Sequence, residues 1–263
     1  MDQKVAEYIN ILGNYLGKRD IKEITSAAIT KKIGIEKADI MVLFGGSILA
    51  GGDVLAEGMK NKVAKKYIIV GGAGHTTETL RQKMKIEFPD METDEKSEAE
   101  LFSKYIEKKY RLQPDYIEKE STNCGNNITY MLNLIRKNRI DSNTMIFTQD
   151  ATMQRRMEAT INKESPDKKI INYASYHATV VVNNGKLEYK DVISGMWTME
   201  RYITLLMGEI PRLTDNKDGY GPNGKNYLPH IDIPENVMKA FDEMKKKYGS
   251  LIRVANPLYA SKK

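Results

Sequence analysis

The sequence predicts an α/β fold: a Rossmann-like, doubly wound and mostly parallel sheet, with a smaller helical subdomain from the N- and C-terminal segments. Three observations carry this prediction. Short continuous apolar runs, such as Ile40-Met41-Val42-Leu43-Phe44, have the length of strands and the composition of strands buried on both faces. Stretches of helical periodicity separate them, and alternating strand and helix gives a parallel sheet. Two of the runs end in glycine pairs, Gly45-Gly46 and Gly71-Gly72, a weak self-similarity that suits successive strand–turn–helix units.

The elements follow in order. Val5, Tyr8, Ile9, Leu12, Tyr15 and Leu16 recur at helical spacing, as do Ile21, Ile24, Ala28 and Ile29, so residues 2–33 predict two helices broken near Gly17-Lys18-Arg19-Asp20. The first strand, 40–44, precedes a helix over 52–65. Tyr67-Ile68-Ile69-Val70 is the second strand. A helix over 97–109, a weaker strand at 115–118 and a helix over 126–137 come next. Met145-Ile146-Phe147 forms a strand, 152–163 a helix, and Ile170-Ile171 lies in a further strand. Residues 179–182 and 186–190 flank Asn183-Asn184-Gly185 as a hairpin with a glycine turn. The apolar segment 196–207 predicts a helix that holds Trp197 and reads as core or as a dimer interface, which leaves a homo-oligomer open. Residues 211–234 are loop-like, with Pro211, Pro222, Pro229 and Pro234, and 235–248 form a polar helix. The expected division is a sheet domain over 34–194, with 1–33 and 195–263 forming the helical subdomain.

Composition removes several classes. A chain of 263 residues buries roughly 70–75% of its unfolded surface and needs no disulfide to stay folded. Its single cysteine, Cys124, cannot form an internal disulfide, and a reducing cytoplasm is the expected setting. The net charge of +6 comes from 41 Lys and Arg against 35 Asp and Glu, and 31 of the bases are lysine. Readers of nucleic acid favour the planar arginine fork, and the lysines form no clustered stripe, so no nucleic-acid partner is expected. No apolar run reaches the ~18–20 residues of a membrane span. The polar start Met1-Asp2-Gln3-Lys4 does not read as a signal peptide.

In a doubly wound sheet, ligands sit outside the carboxyl ends of the strands, where the strand order reverses. The unusual residues of this chain follow the predicted strands. Gly45, Gly46, Gly72 and Gly74 can let backbone approach a ligand, or can serve tight turns alone. A dinucleotide fingerprint would need a third glycine where Thr77 stands, and no Gly-x-x-x-x-Gly-Lys phosphate loop occurs. Ser121, Asn123, Asn126 and Asn127 suit ribose hydroxyls or amides, and one or two of them suit a helix cap. His75 reads as a ligand contact or an acid–base group. Gln149 and Asp150 stand at another strand exit, with Asp150 also expected to cap the next helix. Arg155 and Arg156 fall in the first turns of that helix, where the dipole disfavours cations by about 0.3–1 kcal/mol. Two together predict an anionic partner, either a carboxylate of the protein or a carboxylate or phosphate of a ligand. Cys124 reads as a nucleophile without an identifiable helper or as a small, partly buried residue, and no residues have metal-ligand spacing.

Longer motifs add a resemblance. Ser121-Thr122-Asn123-Cys124-Gly125-x-Asn127, Gln149-Asp150-x-Thr152-Met153-Gln154-Arg155-Arg156, and Glu200-Arg201-Tyr202 followed by Gly208-Glu209-x-Pro211-Arg212-Leu213 are similar to motifs of YdcF-like proteins. So is Asp218-Gly219-Tyr220-Gly221-Pro222-x-Gly224. These proteins are a branch of a bacterial family that also includes the envelope factors SanA and ElyC. The resemblance spans roughly residues 39–235. It implies a Rossmann-like domain and, for this branch, binding of S-adenosylmethionine, with no established reaction. Asn126 stands where the family motif usually carries Glu, a change that would weaken a contact made by that carboxylate. SanA-like relatives carry an N-terminal membrane anchor, and the start of this chain shows no such segment, so their envelope location is not expected to transfer.

Three functional readings follow. The first is an S-adenosylmethionine-binding protein, with Gly45, Gly46, Gly72 and Gly74 offering backbone, Ser121, Asn123 and Asn127 bonding polar groups, and Arg155 or Arg156 holding the methionine carboxylate. Phe44-Gly45-Gly46 and Val70-Gly71 stand where ordinary methyltransferases place acidic residues, so methyl transfer is not supported. The second is an enzyme acting on a phosphorylated or nucleotide-linked metabolite in envelope synthesis. The third is a non-enzymatic scaffold or regulator.

Overall fold

A computed structural model describes residues 2–74 and 76–252. Five parallel strands form the central sheet: β1 (Ala38–Phe44), β2 (Ala64–Val70), β3 (Tyr116–Glu118), β4 (Thr144–Thr148) and β5 (Lys169–Asn172). Their order is β3-β2-β1-β4-β5, the doubly wound order predicted from the alternating runs. The direction of winding reverses between β1 and β4, and that boundary is where a ligand crevice belongs.

All seven residues of β1 are buried, because alternate side chains serve different layers. Ile40, Val42 and Phe44 pack with Ile128, Met131 and Ile135 of α6 (Cys124–Lys137) and with Met157 and Ile161 of α7 (Gln154–Glu164). Met41 and Leu43 face the opposite layer. There they meet Leu55 of α3 (Ala50–Lys60), Leu80 and Met84 of α4 (Thr77–Glu87), and Phe102 and Tyr105 of α5 (Glu98–Tyr110).

A third apolar cluster joins α1 (Asp2–Leu16), α8 (Met199–Leu213) and α9 (Glu235–Tyr248), through Ile9, Leu12, Leu206, Ile210 and Phe241 among others. Its membership differs from the expected division. Val180 of β6 (Val180–Asn183), which pairs antiparallel with β7 (Lys186–Tyr189), packs into this cluster rather than on the sheet. Ile29 of α2 (Ser26–Ile33), with Ile21 and Ile24, joins the sheet layer instead.

Several boundaries also differ. Helix α4 was not expected: its apolar residues are Leu80, Met84 and Ile86, and only the first two, four residues apart, are buried, too thin a stripe to stand out. Helix α3 ends at Lys60 rather than 65, because β2 begins at Ala64. Helix α8 runs through Pro211 to Leu213, although a proline in the last turn gives up the N–H that would bond the carbonyl four residues earlier. Among the described residues, no helix is long and apolar enough to cross a membrane.

Candidate functional site

The loops after β1, β2, β3 and β4 converge on a cavity of about 820 Å³, closed on its far side by α8 and residues 220–228. This volume lies in the usual range of metabolite sites, roughly 300–1,000 Å³.

After β1, two adjacent glycines do different work. A side chain at Gly45 would collide with the Glu98 carboxylate and crowd the backbone of Gly71, so glycine here permits strand exits and α5 to close up. A Cβ at Gly46 would meet only Gln149 Oε1, at 3.5 Å, and the backbone there lies open to the cavity. Ser47 Oγ donates to Thr76 O at 2.8 Å and ties the first loop to the second.

Gly72 in the second loop would collide, if given a side chain, with the backbone oxygens of Ser121 and Lys119, and its N–H donates to Ser121 O at 2.9 Å. It therefore packs the second loop against the third. Gly74 lines the cavity, and its N–H donates to Thr77 Oγ1 at 2.7 Å. His75, expected as a ligand contact, lies outside the described residues.

The third loop leads into α6. Asn123 caps that helix, its Oδ1 accepting Asn126 N at 2.9 Å, which satisfies one of the orphan donors of the first turn. Ser121, Asn123, Asn126 and Asn127 all line the cavity. Cys124 lines it too, and burial pushes its thiol upward despite Arg156 nearby, so it is held as a neutral thiol.

In the fourth loop, Gln149 is 1% exposed. Its Oε1 accepts Asp150 N at 2.6 Å, while its Nε2 is buried without a protein partner. A buried, unpaired donor costs roughly 1–3 kcal/mol, and in a cavity wall an occupant's acceptor can relieve that cost. Asp150 does not cap α7, whose N-cap position is Met153. Its Oδ1 instead accepts from Thr152 N and Oγ1 and from Tyr176 OH, and its Oδ2 accepts from Trp197 Nε1 at 2.8 Å. Trp197 therefore precedes α8 and forms cavity wall, rather than sitting within an apolar helix.

The arginine pair separates. Arg155 is not at the cavity: its guanidinium stacks 4.0 Å from the Tyr15 ring and Nε donates to Tyr15 O. Arg156 lines the cavity and meets Glu209 of α8 with Nε to Oε2 at 2.5 Å and Nη2 to Oε1 at 2.9 Å. Burial opposes the charge of Arg156, but its hydrogen-bonded pairing with the Glu209 carboxylate favours it, and its pKa is raised. Arg212 Nη1 reaches the same Glu209 carboxylate at 3.5 Å. The two guanidiniums share this carboxylate, and Lys163, Lys225 and Glu164 line the same cavity.

Sequence reasoning did not single out Glu98, one acid in the first turn of α5. The capping box of Ser97 and Glu100 starts α5, and Glu98, the residue after Ser97, lines the cavity. Thr76 and Thr77 hydroxyls donate to its Oε1 at 2.9 and 3.0 Å. Burial pushes the carboxyl above its usual range and outweighs those bonds. The helix N-terminus favours the anion by only roughly 0.3–1 kcal/mol, less than one pKa unit.

Lys83 supports the site from behind. Its Nζ donates to Ser47 O at 2.8 Å and Gly195 O at 2.5 Å, and lies 4.4 Å from the Trp197 ring centroid. Burial lowers its pKa to about 8, against the pull of Asp150. Among the described residues, no group of three His, Cys, Asp or Glu side chains is arranged to hold a metal ion. Compared with models of known protein families, the chain matches none.

Proposed function

We propose that the carboxyl-edge cavity binds a small nucleoside-type metabolite with a terminal anion, S-adenosylmethionine and its analogues being the first class to test. The supporting observation is that one cavity has two unlike ends. At the sheet end stand uncharged hydrogen-bonding groups: Ser121, Asn127 and the unpartnered Nε2 of Gln149, beside the open backbone of Gly46. At the α8 end stand Arg156, Arg212, Lys163 and Lys225, with Glu209 and Glu164 neutralising part of their charge. The first set suits ribose hydroxyls and amide-like base edges, and the second suits a carboxylate. The resemblance to YdcF-like proteins points to the same ligand class. Bound S-adenosylmethionine would supply an activated methyl group, and the reading extends to binding alone.

A second reading, a phosphorylated or nucleotide-linked metabolite, draws on the surplus of cations at the α8 end, which suits a phosphate equally well. One experiment separates the two: denature the purified protein and identify what it releases by mass spectrometry. A released adenosyl–amino acid supports the first reading, and a released nucleotide or phosphosugar replaces it with the second.

A further inference from the structure

We propose that Glu98 is the proton-donating and proton-accepting group of this cavity, presenting Oε2 to a neutral oxygen or nitrogen of the occupant at the carboxyl ends of β1 and β2. The site would then carry general acid–base chemistry as well as binding. The inference rests on the reading of the cavity as a metabolite site, and it adds a reaction class that binding alone does not require.

The two carboxyl oxygens are not equivalent. Oε1 accepts both threonine hydroxyls, and Thr77 Oγ1 is itself fixed by accepting the N–H of Gly74. With Oε1 occupied by two donors, a proton on this carboxyl belongs on Oε2. Oε2 lies beside the Cα of Gly45, where any side chain would displace it, and Glu98 lines the cavity. The glycine of the first loop thus makes room for a carboxyl oxygen as well as for backbone.

Among the described residues, none supplies a counter-ion. The charged groups on the packed elements are engaged elsewhere: Lys83 with Ser47 O and Gly195 O, Arg81 with Lys96 O and Glu78, Glu100 with Ser97. Asp150 and Arg156, across the cavity, are held by Trp197 and Glu209. Burial without an ion pair favours the neutral acid, and this agrees with the upward direction of its pKa. When Oε2–H gives its proton to an acceptor, the carboxylate left behind keeps the two threonine bonds, which stabilise it until a proton returns from the occupant or from solvent. A permanently ionised Glu98 would instead be a counter-charge for a cationic ligand.

A small diazo ester tests this without a known substrate. Of the two forms of a carboxyl, ethyl diazoacetate esterifies the protonated one: the acid proton moves to the diazo carbon, the carboxylate oxygen forms the C–O bond, and N2 leaves. The intact protein is treated at neutral pH and the esters mapped by peptide mass spectrometry. The expected result is an ester on Glu98 in preference to exposed carboxylates such as Glu120, absent in Glu98→Gln, which keeps the fold because an amide oxygen can accept both threonine hydroxyls. Labelling of Glu98 no faster than that of Glu120 overturns the proposal. S-adenosylhomocysteine then separates this proposal from the ligand assignment. Protection of Glu98 supports both, whereas labelling that persists supports the proton donor and removes the nucleoside occupant.

Discussion

Arg156 grips Glu209 through two parallel hydrogen bonds, Nε to Oε2 at 2.5 Å and Nη2 to Oε1 at 2.9 Å, and so joins α7 on the sheet to α8 on the helical cluster. Both side chains are largely buried, at 14% and 6% exposure. Breaking such a pair strands a charge, at a cost of roughly 3–5 kcal/mol. Glu209→Ala strands Arg156 and also takes Arg212's anion, so it should destabilise more than Arg156→Ala. Replacing both partners, as Arg156→Met with Glu209→Leu, should cost less than either single change. Urea denaturation of the variants checks this order.

The glycines of the first two loops should split by consequence. Gly46→Val enters the cavity with room around its Cβ, so it should leave the melting temperature close to wild type and abolish ligand-induced stabilisation. Gly72→Ala drives a methyl into the backbone of Ser121 and should cost about 1–3 kcal/mol by overpacking. Thermal denaturation with and without ligand distinguishes a lost site from a lost fold.

The fold was legible where burial on both faces left continuous apolar runs, as in β1, β2 and β4. It was not legible in α4, where burial falls on Thr77, Leu80 and Met84 alone. The site was legible as loops: Gly46, Asn127, Gln149 and Arg156 do meet at one cavity. Its wiring was not. Arg155 and Arg156 looked like one feature, yet neighbours on a helix point about 100° apart, and only one can face a given cavity. Glu98 looked like any acid in a first turn, because its burial depends on Gly45 and Gly71, more than twenty residues away in sequence.

Trp197 is the sole tryptophan and lines the cavity, so it reports on that space alone. An occupant should change its emission and reduce its quenching by acrylamide. Trp197→Phe should remove the bond to Asp150 Oδ2 and cost about 1–3 kcal/mol, because a buried carboxylate oxygen loses its donor. Fluorescence titration and denaturant melts measure the two effects.

Lys83 gives a pH signature. Its folded pKa, about 8, lies below the unfolded lysine value of about 10.4. Between these values the unfolded chain binds more protons, so this group makes stability rise with pH across that window. Lys83→Met should flatten the rise relative to wild type. Denaturation midpoints of the two proteins from neutral to about pH 10 test the sign.

Calorimetric titration of the purified protein with S-adenosylmethionine and S-adenosylhomocysteine tests the central claim most directly. The account predicts saturable binding at one site, lost in folded Gly46→Val and weakened in Arg156→Ala. No binding of either ligand at about 1 mM, the upper end of ordinary metabolite affinities, would contradict it.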